Sequence, residues 1–303
     1  MKQLLAGSIL LILVLVSCND KPQAQQKIVA NALNGTPLYV HPPSEELIAK
    51  YEERKQKYLA NVHNMENLIW FGRFAAYKGD YEEAMKIYAA GIQKSPKDSR
   101  IYRHRGHRYI TLRQFEKAIT DLEKASTLIQ GTMNAKEPDG MPNARNVPVS
   151  TNHGNIYYHL GLAYYLNGQL PKALNAYLKC LKTSTEPDNL VSATHWLYMI
   201  LRKLGRLEEA EEILKPIAPN MNIIENMSYH QLCLFYKGVI SESELLNSQR
   251  AAASNDAVRY GLANWYEYNG NEEQARKNMR EIIKGKSWAS FGYIAAEADL
   301  YRK

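Results

Sequence analysis

Small and apolar residues return along this chain every 34 positions. In the segment that begins at Met65 they are Gly72, Gly79, Tyr81, Ala84, Tyr88 and Pro96; from Ser99 they are Gly106, Tyr109, Phe115, Ala118, Leu122 and Ala125. A third copy from Gly154 carries Leu160, Gly161, Tyr164, Gly168, Leu170, Ala173 and Tyr177. Weaker copies start near Val191 (Leu197, Leu201, Gly205, Leu207, Ala210, Leu214) and Asp256 (Leu262, Tyr266, Gly270, Ala275, Met279), with a degenerate one between them around 225–249. Within each copy the apolar residues keep helical spacing on either side of a break, which predicts two antiparallel helices per copy. One such pair cannot cover its own apolar face, so neighbouring pairs must stack, with small residues where helices cross and Tyr or Leu between pairs. Residues 44–62, opened by Ser44-Glu45-Glu46 after Pro43, predict a leading cap helix, and Trp288 to Tyr301 a closing one. Between the second and third copies the spacing grows to 55, so 21 extra residues fall within 131–153. Their Pro138-Asp139-Gly140-Met141-Pro142 cannot continue a helix and predicts an inserted loop.

This register resembles the tetratricopeptide repeat, over about two thirds of the chain. The resemblance implies an all-α fold for residues 44–303: a right-handed superhelix (α-solenoid) of about five to six helical hairpins between N- and C-terminal capping helices. It also implies a concave groove lined by the first helix of each hairpin, and a protein or peptide partner rather than catalysis. Carried onto this sequence, the groove places fall on Trp70 and Arg73, then Arg100, Arg103, His104 and His107, then Tyr158 and His159, then His195, Trp196 and Arg202. The Lys and Asn with which some members of the family clamp a carboxylate are not reproduced, Ile69 and Arg73 standing in the first pair of places.

The run Arg100-Ile101-Tyr102-Arg103-His104-Arg105-Gly106-His107-Arg108, followed by Arg113, has no acid between Ser99 and Phe115. Guanidinium forks suit carboxylates, phosphates and sulfates, and aromatic faces suit extended peptides or sugar rings. A basic, aromatic-lined groove therefore points to an extended or acidic segment of a protein partner. The alternative is a small anionic solute or acidic oligosaccharide held at the Arg/His cluster. A third reading has Glu137 and Asp139 of the insert folding back on Arg103 and Arg108 as an internal network. Arg105 stands where the family usually places a packing Leu, which points to a structural ion pair. The histidines His104, His107, His159 and His195 have Arg neighbours that repel a cation, so no metal is expected there.

At the other end of the chain, Met1-Lys2 precedes thirteen uncharged residues, Leu4 to Val16, too few for the roughly 20 of a membrane-spanning helix but right for an export signal. Leu15-Val16-Ser17-Cys18 resembles a bacterial lipobox. It implies a signal peptide over 1–17, acylation of Cys18, and residence in the bacterial cell envelope, with Asn19 favouring the outer membrane, facing periplasm or surface. Residues 18–43, rich in Gln, Asn, Ala and Pro, read as a lipidated flexible tether whose coil would span roughly 25–30 Å.

Composition adds mainly exclusions. Basic residues exceed acidic ones, 38 to 31, and the surplus of seven falls to six once Lys2 is removed with the signal. So small an excess argues against nucleic acid as a partner. The cysteines, Cys18, Cys180 and Cys233, have no C-x-x-C spacing and are too few for a disulfide framework or a four-thiolate zinc site. Cys180 and Cys233 occupy packing places and read as small buried hydrophobes. No P-loop, H-E-x-x-H, G-x-S-x-G or dinucleotide glycine fingerprint occurs, so neither an enzyme nor a cofactor is expected.

Overall fold

The computed structural model describes residues 27–143, 145–247 and 255–302. Two short antiparallel strands, β1 (Ile28–Asn31) and β2 (Pro37–Tyr39), precede a leading helix, α1 (Glu45–Ala60). Six hairpins follow among the described residues. They are α2 (Met65–Tyr77) with α3 (Tyr81–Lys94), α4 (Ser99–Thr111) with α5 (Phe115–Leu128), and α6 (Asn152–Leu166) with α7 (Leu170–Leu181). Next come α8 (Pro187–Lys203) with α9 (Leu207–Leu214), α10 (Met227–Tyr236) with α11 (Glu242–Asn247), and α12 (Asp256–Tyr268) with α13 (Glu272–Ile283). A closing helix, α14 (Phe291–Tyr301), ends the array. This is the all-α solenoid that the period predicted.

The local reasons are visible in each hairpin. Asn64, Asp80, Asp98 and Thr151 cap the helices they precede by accepting a bond from a first-turn N–H. Where a first helix turns into its second, Gly79, Gly168, Gly205, Gly238 and Gly270 take φ between 72° and 90°. Arg113 takes the same place in the second hairpin, with φ 61°. Small residues let paired helices touch: a Cβ on Gly72 would lie 2.5 Å from the Tyr88 ring, and one on Gly161 2.6 Å from Tyr177.

The array curls until its ends meet. Arg302, just beyond α14, donates to the Tyr165 carbonyl at the end of α6, 3.1 Å away. Glu297 of α14 accepts from Arg113 at 2.8 Å and from the Leu33 amide at 2.5 Å. The Trp288 indole donates to the Tyr39 carbonyl at 2.6 Å. The segment read as a flexible tether, 18–43, is therefore ordered from β1 onward. Its Ala32 and Leu38 are buried, and Val40 packs against Gly79, so the hairpin has an apolar face that the body covers. The expected signal peptide over 1–17, the acylation expected at Cys18 and the rest of the chain up to residue 26 lie outside the described residues.

The insert at 131–153 is also held down. Glu137 donates its N–H to the Ser150 carbonyl and Asn152 to the Ala135 carbonyl, at 3.0 and 2.9 Å, with a bridge between Lys136 and Thr151. Both halves of the loop thus run side by side across the mouth of the inner wall.

Candidate functional site

Helix α4 and the turn that follows it carry the arginines, and an acid meets most of them. Arg100 forks onto Asp98 and reaches Glu66 at 2.6 Å. Arg105 binds Asp121 through two bonds of 2.7 and 2.8 Å, the structural ion pair that its place in the repeat predicted. Arg113 pairs with Glu297 in the interior, their side chains 3% and 1% exposed. Arg103 lies 3.1 Å from Glu137, whose carboxylate is also 3.8 Å from Arg73 and 3.4 Å from His104. Asn155 donates to the other Glu137 oxygen at 2.8 Å, and Arg73 donates to the Pro138 carbonyl. Of the insert's two acids, Glu137 is the one that folds back, and it serves Arg103 rather than Arg108. No carboxylate among the described residues pairs with Arg108.

The histidines are neutral by physics rather than by partner. Burial, followed by the charges of Arg103, Arg73 and Arg108, holds His104 far below the usual imidazole range. His107 is pushed down by burial first and by Arg108 and His159 after it, and His159 by burial first and Arg103 second. Burial alone lowers His195 to about 3. Arg103 donates to His104 Nδ1 at 2.8 Å, so the proton of that ring sits on Nε2, facing Glu137. Among the described residues no group of three or more His, Cys, Asp or Glu is arranged to hold a metal ion.

The continuous groove expected from residue 70 to residue 202 is therefore not open. Phe291 of α14 lies against His107, Tyr158 and His159, with ring centroids 5.3 to 6.3 Å apart. His195 stacks on Tyr229 and Tyr236, and Trp196 stacks on Tyr177 and donates to the Tyr158 hydroxyl. Trp70 is flanked by the guanidiniums of Arg54 and Arg73, and Arg202 lies 4.4 Å over Tyr268. Later parts of the chain thus cover His107, Tyr158, His159 and His195. The cause is curvature: a curled solenoid brings its closing helix within side-chain reach of the second and third hairpins.

Two adjoining clefts remain. The larger, about 480 Å³, lies under the insert between Arg73, Tyr77, Arg103, Glu137, Asp139 and Glu225. The smaller, about 270 Å³, is lined by Tyr158, His159, Asp188, Ser192, Asn226 and Tyr229. They meet along Ser150, Asn155 and Glu225, which line both. Only Arg73, Arg103, Tyr158 and His159 of the expected groove residues line either. Asp188 shapes this region by accepting the backbone N–H groups of Ile224, Glu225 and Asn226, at 2.7 to 2.9 Å. Asp139 is raised to about 6, by burial first and by Glu225 second. Asn143 donates to Glu225 at 2.5 Å and Arg145 to Asn222 at 2.8 Å, closing the insert onto the turn before α10. Asp139, Asp188 and Glu225 carried no repeat or motif signal, since they meet only through loops far apart in sequence.

Residues 99–131 and 154–186, the second and third hairpins, match the family model described as tetratricopeptide repeat. A stretch of 149 residues is 28% identical to the BBSome complex member BBS4 of Bos taurus, covering 49% of this chain. The chain spans about a quarter of the length of that curated relative, 24%. Among solved structures, a tetratricopeptide repeat protein from Parabacteroides merdae is 17% identical, with a TM-score of 0.49 over 84% of this chain and 93% of that one. YrrB, described as a TPR protein with an unusual peptide-binding site, is 16% identical, with a TM-score of 0.43 over 81% and 96%. The body is an all-α solenoid, two of whose hairpins match the tetratricopeptide repeat model.

Proposed function

We propose that this protein is a lipid-anchored scaffold of the bacterial cell envelope that holds an extended segment of a protein partner in the two clefts along Asn155. What supports the scaffold reading is the repeat architecture itself, which presents side chains of successive helices along one wall. What supports the place is that the two clefts adjoin there, lined by the polar side chains of Ser150, Asn155, Asn226 and Glu225, whose remaining hydrogen-bonding capacity can meet a peptide backbone. An acidic partner loses part of its rationale, because Glu137, Asp121 and Glu297 already neutralise Arg103, Arg105 and Arg113. Anchoring rests on Leu15-Val16-Ser17-Cys18. A small anionic solute is the second reading, favoured by Arg73 and Arg103 lining the larger cleft and by the Arg103 Nε, which lacks a bonding partner.

A photocrosslinking residue at Tyr229, in the cleft, should capture a discrete polypeptide in membranes, while one at Leu178, exposed on the outer face, should not. Equal capture at both places would refute the cleft as the docking site. Thermal shifts with anionic solutes test the second reading, since a ligand that prefers the folded state raises the melting point. Cys18→Ala should move the protein from the membrane to the soluble fraction; unchanged fractionation would remove the anchor.

A further inference from the structure

A cavity of about 780 Å³ lies away from the inner wall, where β1 crosses the outer side of α3 and the junction of α4 with α5. Its walls are Ile28, Val29, Val40, Met85, Ala89 and Leu112. Ile28 is 52% exposed at its edge. The volume falls in the roughly 300–1,000 Å³ range of small-molecule sites.

Cations ring this apolar space: Lys27, Lys78, Lys86 and Lys117 line it against only Asp80 and Glu82. Lys27 and Lys86 share the single carboxylate of Glu82, at 2.9 and 2.8 Å. Asp80 is occupied as the cap of α3. Lys78 pairs with Glu83 at 3.2 Å and lies over the Tyr51 ring. Lys117 touches the Gln114 amide oxygen and the Tyr109 ring but no carboxylate among the described residues. One further negative charge is therefore complementary to the rim. A peptide would leave its backbone groups facing aliphatic walls, at the cost of unmade hydrogen bonds. A methylene chain has no such groups to satisfy.

We propose that this cavity binds a single-chain anionic amphiphile of the long-chain fatty-acid class, with its carboxylate at Lys117 and its chain along β1, Met85 and Leu112. The site is independent of the scaffold reading: its residues line neither cleft, and either assignment stands if the other fails.

The test uses the full chain in membranes of the producing cells, with a photoreactive palmitate analogue and mapping of adducts by mass spectrometry. Adducts are expected within 78–89 and 109–117. Unlabelled palmitate should compete, and shorter carboxylates should do so about threefold to fourfold less well per methylene removed. Met85→Trp, which narrows the cavity at the wall the chain would follow, should weaken labelling several-fold, whereas Met85→Leu should keep it. Lys117→Glu, at an exposed position that cannot compromise the core, should weaken labelling several-fold. The proposal is overturned if adducts fall elsewhere, if Lys117→Glu labels like the parent, or if hexadecanol competes as well as palmitate.

Discussion

Arg113 adopts the left-handed backbone conformation that glycine takes in five other hairpins. For a residue with a side chain that conformation costs about 1–2 kcal/mol. The guanidinium offsets it by binding Glu297, the Trp288 carbonyl and the Thr111 carbonyl, all in the interior. Arg113→Gly would relieve the strain but leave Glu297 buried without its partner, a loss of about 3–5 kcal/mol. The expected net fall in unfolding free energy, about 1–4 kcal/mol, is measurable by denaturant titration. A variant as stable as the parent would show that the pair contributes nothing beyond the strain it balances. The period of the sequence marked this position as a turn, but nothing near Arg113 announced an acid 184 residues away.

Among the elements, the paired helices and the insert behave differently. Gly161 faces the Tyr177 ring at a distance where no side chain fits, so Gly161→Val should force α6 from α7 and lower stability by about 1–3 kcal/mol, read as a fall in Tm. This contact was legible beforehand, because the small residue recurs with the repeat. The insert is held to the turn before α10 partly through Asp139 and Glu225. Asp139 rises to about 6 in the fold, so the folded state holds its proton more tightly than the unfolded chain does. That contribution is complete below the ordinary Asp range and is lost as pH climbs through about 6. Hydrogen exchange across 139–143, corrected for intrinsic rate, should therefore show a looser insert at pH 7.5 than at pH 5, and Asp139→Asn should remove the difference. Local sequence foretold that 131–153 is a loop; its docking depends on partners at 222–225 that only the curl of the array delivers.

At the scale of the whole molecule, four imidazoles, His104, His107, His159 and His195, are held neutral by burial. Their folded pKa values lie below the unfolded one, so the stability they contribute is present above about pH 6.5 and is lost as pH falls below it. Each can add up to about 1.4 kcal/mol of loss per pH unit, and the melting temperature should fall steeply between pH 6.5 and pH 4.5. Replacing His195 with Gln should flatten that fall; an unchanged slope would mean that the ring titrates in the open. By itself the sequence determined the helices and their pairing, because helical period, small-residue spacing and turn glycines act over a few residues. Only the tertiary structure decided that the arginine-bearing face is largely closed. Whether Phe291 covers His159, or Glu137 meets Arg103, depends on superhelical curvature, which sums small rotations over six hairpins and brings together groups that no local pattern relates.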